Sequence, residues 1–234
     1  MSVKYKEIAS EIEAQLLAGK YNEGKKLPTE EELIDQYQVS RTTIRKAIGI
    51  LVNKGYVYQI QGSGIFVREA ALKDYISLEN LKGLSRDFPQ KKIISQLIEL
   101  SIVSADEDLA TKMKCPIYTP LYFVKRLRII DGRPFVLEYS YFNKDIIPYL
   151  NEEIVKNSIY SYIKDDLKLS IGFADKVIYA DKLDAECADA LGLKVGEPGL
   201  VIDQTVFLSR GDVFEISRVI HHYEQTKLLK LANF

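Results

Sequence analysis

The first third of the chain carries apolar residues at helical spacing in separate segments. Over residues 4–18 a stripe of Tyr, Ile, Ala and Leu recurs every three or four positions, as on one face of an amphipathic helix. Thr29 followed by three glutamates has the pattern of a capping box, in which Thr29 and Glu32 bond each other's backbone amides. We therefore predict a first helix over residues 4–18 and a short second helix that ends near Tyr37.

A third helix and a hairpin follow in the pattern. Ser40 is a favoured N-cap residue, and the apolar positions between Ile44 and Leu51 again have helical spacing. Runs of strand-forming residues then flank the glycine-containing turn at residues 61–64. Three helices and a two-stranded hairpin, in this order, predict a winged helix-turn-helix domain over residues 1–68.

The formal net charge of −1 conceals a basic segment. Residues 39–68 contain five Lys or Arg and no Asp or Glu, whereas residues 1–38 have 5 basic against 8 acidic residues. Such a segment favours contact with a polyanion, although an ordinary solvated surface explains the same charges. In a helix-turn-helix the N-terminal end of the third helix enters the DNA major groove. There, Arg41 and Arg45 could reach guanine edges or phosphates.

Three motifs in this domain resemble the GntR family of bacterial transcription regulators: LPTE at residues 27–30, VSRTTIRKA at 39–47 and QGSGIFV at 61–67. Many members have an arginine that contacts phosphate after the Pro-x-Glu motif, but this chain has Glu31, which cannot hold a phosphate. A winged helix that contacts protein instead of DNA is the alternative. The resemblance implies DNA contacts from Arg41, Thr42, Thr43, Arg45, Gln61 and Gly62. Ser40, at the start of the same helix, could bond phosphate together with the helix N-terminal amides.

Residues 69–80 show no strong period and are predicted to be a linker. The remainder mixes strand-like and helical patterns. The pattern Gly132-x-x-Phe135 recurs 79 residues later as Gly211-x-x-Phe214, in each case inside a predicted hairpin. This repeat indicates an α+β sheet of two related halves with a cleft between them. The predicted elements are a strand at 95–103, helices at 106–113, 158–167 and 185–191, and hairpins at 121–142 and 200–223.

Residues 81–234 resemble the UTRA effector domain of the HutC subfamily. The resemblance implies an antiparallel-sheet domain of chorismate lyase-like fold that binds a small-molecule effector. The motifs that carry it are YFVKRLR at 122–128, DGRPF at 131–135, LEYSY at 137–141, SIYSYI at 158–163 and LG at 191–192.

Two arginines in this domain could form an anion site. Arg126 and Arg128 are two positions apart on a predicted strand, so they share a face and can converge on one anion. An exposed strand face is the alternative. Glu138 lies across from Arg126 on the same face if the hairpin turn contains three residues, and on the other face if it contains two.

The resemblance adds residues to this site. In members that bind a phosphosugar, arginines and serines hold the phosphate, and His221 stands where many members have a tyrosine that lines the effector pocket. The effector-binding residues implied in this way are Ser85, Arg126, Arg128, Ser158 and His221. Glu138 joins them as a carboxylate among arginines that could accept hydrogen bonds from sugar hydroxyls.

Composition excludes several classes of protein. The chain of 234 residues is 47% hydrophobic and 28% charged, which is typical of a globular protein. No segment approaches the ~18 apolar residues of a membrane helix, and the N-terminus lacks the apolar region of a signal peptide. Cys115 and Cys187, like His221 and its neighbour His222, have no further ligands at metal-binding spacing. We therefore expect a cytoplasmic protein with no metal and no cofactor.

Together these features predict a ligand-responsive transcription regulator and not an enzyme. We expect a homodimeric repressor that binds a near-palindromic operator and is controlled by a small metabolite, with a phosphorylated sugar as the leading candidate. The alternatives are an enzyme of chorismate lyase-like fold and an architectural DNA-binding protein without a ligand. The first alternative needs a positioned acid and base, and the second needs a broadly basic chain.

Overall fold

The computed structural model of the protein describes residues 4–21, 24–68, 75–78, 84, 88 and 90–230. The chain divides into two compact units, one formed by residues 1–80 with 227–234 and the other by residues 81–226. No helix in these described ranges is both long and apolar enough to span a lipid bilayer.

The first unit is the predicted winged helix-turn-helix. Its helices begin where the sequence places caps: Thr29 and Glu32 form the reciprocal capping box, and the Ser40 side chain accepts a hydrogen bond from the Thr43 amide. The apolar stripes of the three helices meet the hairpin in one core, in which Ile12, Leu33 and Leu51 are fully buried. The elements are α1 (Lys4–Leu17), α2 (Glu30–Tyr37), α3 (Arg41–Asn53), β1 (Val57–Ile60) and β2 (Gly64–Val67).

A buried carboxylate joins the first helix to the end of the third. Glu13 is 8% exposed, and it accepts hydrogen bonds from the Lys54 ammonium at 2.5 Å and from the Tyr56 hydroxyl at 3.0 Å. A buried charge is tolerated only when it is paired and hydrogen-bonded. The contact therefore fixes α1 against the segment that leads from α3 into β1.

Two short strands in the first unit lie far apart in sequence. β3 (Ile76–Ser77) pairs in parallel with β10 (Leu228–Leu229). The described part of the predicted linker, residues 75–78, thus includes a strand, and the end of the chain returns to it.

The second unit is built on one antiparallel sheet of six strands, in the order β4-β5-β6-β9-β8-β7. This confirms the predicted α+β class. The strands are β4 (Ile93–Ser104), β5 (Pro120–Ile130), β6 (Arg133–Asn143), β7 (Ile171–Lys182), β8 (Pro198–Leu208) and β9 (Val213–His222). The helices are α4 (Glu107–Met113), α5 (Glu152–Lys156), α6 (Ile159–Ser161), which continues as a π-helical turn over Tyr162–Asp166, and α7 (Ala185–Leu191).

The sheet is an internal repeat. β4, α4, β5 and β6 form one half, and β7, α7, β8 and β9 form the other, so that the strand order reads the same from either edge. The spacing is 78 residues from the start of β4 at 93 to that of β7 at 171, and again from β5 at 120 to β8 at 198. The helix caps repeat as well, because Asp106 and Asp184 each accept a hydrogen bond of 2.8 Å from the backbone of the following helix.

Helices cover both faces of this sheet. α5, α6 and the π-helical turn pack on one face through residues such as Val155, Ile159 and Ile163. α4 and α7 pack on the other face, where Met113 and Leu191 are buried. We call the first of these the α5–α6 face, because it carries Arg126, Arg128 and Glu138.

We predict that Glu13→Ala destabilises the first unit. The substitution removes an acceptor from the buried Tyr56 hydroxyl and from the Lys54 ammonium, which should cost on the order of 1–3 kcal/mol. Scanning calorimetry of the whole chain would show this as a lower melting temperature. Glu7→Ala, on the exposed side of the same helix, is the control and should change stability by less than about 0.5 kcal/mol. Equal melting temperatures for the two variants would contradict the structural role of Glu13.

Candidate functional site

The exposed end of α3 presents the residues expected to contact DNA. Ser40, Arg41, Thr42 and Arg45 are exposed, and Thr43 is half-buried. They lie together because the helix begins at Arg41 and its opposite side is buried in the core. Some of their polar groups already have partners in the free protein. The Ser40 and Thr43 hydroxyls bond each other at 2.9 Å.

Both arginines at this end of α3 form ion pairs with α2. The Arg41 Nη2 donates to Glu31 Oε1 at 2.8 Å. The Arg45 Nε donates to the Glu30 carboxylate, with 2.9 Å to its nearer oxygen. Glu31, the residue at which the sequence departs from the GntR pattern, therefore holds one of the predicted DNA-contacting arginines.

The turn between β1 and β2 forms the tip of the wing. Gln61, Gly62 and Ser63 are all exposed. Gly62 has a φ of 75°, a conformation that costs glycine little and other residues more. A glycine also leaves the backbone of the tip open to close approach, as a groove or phosphate contact requires.

On the α5–α6 face of the sheet, Glu138 is the cross-strand partner of Arg126. The hairpin turn contains only two residues, Asp131 and Gly132, which alone would put Glu138 on the opposite face. A shift in register between Arg128 and Ile129 adds the missing residue and restores the parity. Arg126 and Glu138 thus share a face, and they form a hydrogen-bonded ion pair.

This ion pair is almost completely enclosed, with both side chains 12% exposed. Burial alone would raise the pKa of Glu138, but the charges of Arg126 and Arg128 and the hydrogen bond from Arg126 outweigh it and lower the pKa. Glu138 is therefore ionised at neutral pH. Arg126 also donates from Nη1 to the carbonyl oxygen of Val155 at 2.7 Å, so it anchors α5 to the sheet.

Arg128 opens onto a cavity of about 470 Å³. Arg128 is only 5% exposed. Burial lowers the pKa of its guanidinium group, although the negative charge of Glu138 acts in the opposite direction. No described acceptor lies within hydrogen-bonding distance of its Nε. The other polar residues of the cavity wall are Ser95, Asn157, Ser158, Ser161 and Tyr162, with the exposed Glu153, Lys156 and Asp166 at the rim.

The remaining predicted site residues are placed differently. Ser158 lines the cavity and caps α6, because its hydroxyl accepts from the Ser161 amide at 3.2 Å. His221 lies in the same row of the sheet as Arg128, since both pair with Val136. Ser85 lies outside the described residues.

His221 is buried as a neutral imidazole. It is 4% exposed, its ring meets that of Phe135 edge-on, and its Nδ1 has no partner among the described residues. Burial lowers its pKa to about 4, against the opposing charge of Glu138. Among the described residues, His221 does not belong to a cluster of His, Cys, Asp or Glu side chains that could hold a metal ion.

Sequence reasoning missed a second carboxyl on the same face. Glu215 is 3% exposed and accepts a hydrogen bond of 2.7 Å from the Tyr160 hydroxyl. Burial raises its pKa, although hydrogen bonds from Tyr160 and Ser217 act in the opposite direction. Ser95 was missed too, and it faces Arg128 across β4 and β5. Tyr160 lies in the SIYSYI motif, but the residues next to Glu215 in the sequence contain no motif that would identify Glu215 as a buried site residue.

A larger cavity of about 700 Å³ lies on the other face, between α4 and α7. Most of its charged residues form ion pairs. Arg218 donates a hydrogen bond to Asp203 at 2.8 Å, and Lys112 donates one to Asp108 at 2.6 Å. Glu186 forms an ion pair with Lys125. Because the Arg128 cavity instead has a buried cation with an unbonded donor, it is the better candidate for a ligand site.

Comparison with known proteins assigns both units to described families. The sequence model of the "bacterial regulatory proteins, gntR family" matches residues 4–67, and the model of the UTRA domain matches residues 90–227.

Relatives match along nearly the whole chain. The uncharacterized HTH-type transcriptional regulator YydK of Bacillus subtilis (strain 168) is 38% identical over 231 residues, covering 99% of this chain and 98% of YydK. The crystal structure of YydK superimposes with a TM-score of 0.84 and covers 99% of this chain and 100% of that one. The HTH-type transcriptional regulator GmuR of the same strain is 31% identical, covering 95% of each chain. The mannosyl-D-glycerate transport/metabolism system repressor MngR of Escherichia coli (strain K12) is 26% identical, covering 97% of this chain and 95% of MngR.

We predict that His221 stays neutral until the pH falls to about 4. Because this pKa lies below the ordinary value of 6.5, the unfolded chain binds a proton between these pH values that the folded chain does not. Stability should therefore fall as the pH drops from 6.5 towards 4, by on the order of 3 kcal/mol from this residue. An NMR titration of the imidazole measures the pKa directly, and His221→Gln should remove that part of the pH dependence. Protonation of His221 near pH 6.5 would show that the site is open to water.

Proposed function

The chain belongs to the gntR family of bacterial regulatory proteins, with a UTRA domain after its DNA-binding domain, and on this basis we propose that it is an effector-controlled repressor. Its relatives are DNA-binding transcription regulators. The combination of a gntR-type DNA-binding domain with a UTRA domain is that of a HutC-like regulator. We further propose that the protein is a cytoplasmic homodimer and that its effector is a small anion.

The operator contacts are assigned to the exposed end of α3 and to the tip of the wing. Arg41 and Arg45 carry guanidinium groups that can bond guanine edges in the major groove. Ser40, Thr42 and Thr43 lie at the start of α3, where hydroxyls and backbone amides suit phosphate. Gln61 and Gly62 contact DNA beside them.

A dimer follows from the small footprint of one recognition helix. A single helix reads only a few base pairs, whereas two helices related by a twofold axis read two half-sites and multiply the discrimination. The operator should accordingly be near-palindromic.

The effector is an anion, and a phosphorylated sugar fits the site best. The observation that carries this assignment is the buried guanidinium of Arg128, which lines the cavity and whose Nε has no hydrogen-bond partner among the described residues, while the neighbouring Glu138 is already bonded to Arg126. An unbonded guanidinium donor at a cavity wall suits a phosphate. Ser95 and Ser158 of the cavity wall can then bond sugar hydroxyls. Glu138, Glu215 and His221 share this face of the sheet but do not line the cavity. The relative MngR is named for mannosyl-D-glycerate, a sugar derivative that carries a carboxylate.

Control of DNA binding is proposed to be geometric. Effector binding reorders the cavity, the segment of residues 69–80 transmits the change, and the two recognition helices lose the spacing of the operator. We assign no enzyme activity, because the relatives are named as transcription regulators and a shared fold does not confer chemistry.

We predict that Arg41→Ala and Arg45→Ala each weaken operator binding by about 1–3 kcal/mol, because each removes a contact to a base edge. The operator can be obtained by selecting duplexes from a random-sequence pool with the wild-type protein. Gel-shift titration then measures affinity, and circular dichroism confirms folding. Arg210→Ala, which changes an exposed arginine of the second unit, is the control. Unchanged affinity in both recognition-helix variants would refute the assignment.

We further predict that Arg128→Ala abolishes the effector response while operator affinity stays at the wild-type level. Loss of a hydrogen bond to a charged group should cost on the order of 1.5–3 kcal/mol of effector binding. Hexose phosphates, the matching unphosphorylated hexoses and inorganic phosphate are tested by thermal shift and by release of operator DNA. Arg128 is a cleaner test than Arg126, which also neutralises Glu138 and anchors α5.

Arg133→Ala, at the exposed end of the same hairpin, is the matched control for this experiment. Arg128→Lys keeps the charge without the forked geometry and should retain part of the response. If Arg128→Ala responds to a hexose phosphate at wild-type concentrations, the anion is bound elsewhere.

A further inference from the structure

Two carboxylates of α2 lie against the arginines that would read the operator. Glu31 accepts a hydrogen bond from Arg41 at 2.8 Å, and Glu30 accepts from Arg45 at 2.9 Å. Both carboxylates stand in the first turn of α2, directly after the capping residue Thr29. Each of the two arginines at the start of α3 therefore has a carboxylate of α2 as its neighbour, and we call these two carboxylates the α2 acidic layer.

Stability does not explain this layer. The side chains of Arg41 and Glu31 are 53% and 68% exposed; in the second pair Arg45 is 61% exposed and Glu30 is 20% exposed. Ion pairs this exposed contribute only about 0–1 kcal/mol to folding, because water screens the charges and the long side chains lose freedom. The fold itself holds through the buried core and the caps.

We propose that Glu30 and Glu31 are specificity-determining residues for operator binding, because they hold Arg45 and Arg41 away from phosphates and thereby weaken binding to non-operator DNA. The inference rests on the proposed assignment of Arg41 and Arg45 as DNA contacts. Glu31 is the stronger of the two positions, since both side chains of its pair are more than half exposed whereas Glu30 is 20% exposed.

The effect on the two kinds of DNA differs for a physical reason. Binding to non-operator DNA rests almost entirely on attraction between basic side chains and phosphates. A carboxylate bonded to each arginine cancels part of that attraction. Operator DNA also offers base edges, and an arginine already ordered by an ion pair loses less side-chain freedom when it bonds guanine. The carboxylates thus lower the affinity for all DNA, and they lower it most for non-operator DNA, where no contact to a base edge compensates.

The test compares Glu31→Gln and Glu30→Gln with Asp35→Asn in the full-length protein. Asp35 lies one helical turn beyond Glu31 on α2 and is exposed, and within the described chain it is not paired with an arginine of α3. Each variant removes one negative charge from the same helix. The two probes are the operator selected with wild-type protein and a duplex of the same length with scrambled sequence, each titrated over a range of salt concentrations.

For Glu31→Gln we expect affinity for the scrambled duplex to rise by on the order of tenfold near 0.1 M salt, with the salt dependence steeper by about one unit of slope. Affinity for the selected operator should rise less, so the ratio of the two affinities falls. Asp35→Asn should change both affinities by a smaller and equal factor. If Glu31→Gln behaves as Asp35→Asn does, or if the affinity ratio is unchanged, the inference is wrong.

A double-variant cycle separates this inference from the assignment beneath it. If Glu31 acts through Arg41, the effect of Glu31→Gln should shrink when Arg41 is already alanine. Full persistence of the effect in that background would show that Glu31 repels DNA on its own, which overturns the proposed route. Loss of operator affinity in Arg41→Ala, measured alone, reports on the DNA-contact assignment regardless of how Glu31 behaves.

Discussion

A guanidinium group cannot lie in a protein interior without compensation, and this constraint organises the site of the second unit. Removing an isolated charge from water costs far more than most interactions return. Arg126 meets the constraint by pairing with Glu138 and with the carbonyl of Val155. Arg128 meets it only in part, because Glu138 is hydrogen-bonded to Arg126 and the Nε of Arg128 has no partner among the described residues. In the proposed mode of effector binding, an anion in the cavity beside Arg128 provides the missing partner.

The internal repeat has different side chains at the equivalent positions of its two halves. Arg126 on β5 corresponds to Gln204 on β8, 78 residues later. Glu138 corresponds to Ser217, because these two residues are the cross-strand partners of Arg126 and Gln204. Gln204 donates to Ser217 at 2.8 Å, so a neutral hydrogen bond replaces the ion pair. The two halves therefore share backbone geometry, and among the described residues the buried Arg128 and the enclosed Arg126 both lie in the first half.

Local signals predicted the elements that local interactions determine. The caps at Thr29, Ser40 and Asp106 placed the helices within a residue or two, because a cap satisfies amides that the helix itself cannot. β7 was not predicted, since it is an edge strand whose residues are mostly exposed and show weak alternation. The five-residue α5 is too short to show a period.

The sequence named candidate site residues, and their geometry was harder to predict. The sequence left the face of Glu138 undecided, because a register shift near Arg128 changes the parity that the turn alone would give. It also could not bring Glu215 to Tyr160, since the two are 55 positions apart and meet only through packing of α6 on the sheet. Long-range contacts of this kind depend on the whole sheet, and no local pattern encodes them.

Ion pairs of the same chemical type have different consequences in the two units. The Arg126–Glu138 pair is enclosed, so breaking it would leave a buried charge and disturb the fold. The Arg41–Glu31 pair is exposed, so water replaces either partner at little cost to folding. An exposed pair can therefore exchange its carboxylate for another acceptor when one arrives, whereas the enclosed pair cannot. This difference suits the first unit to surface recognition of DNA and the second to a permanent cavity wall around a small ligand.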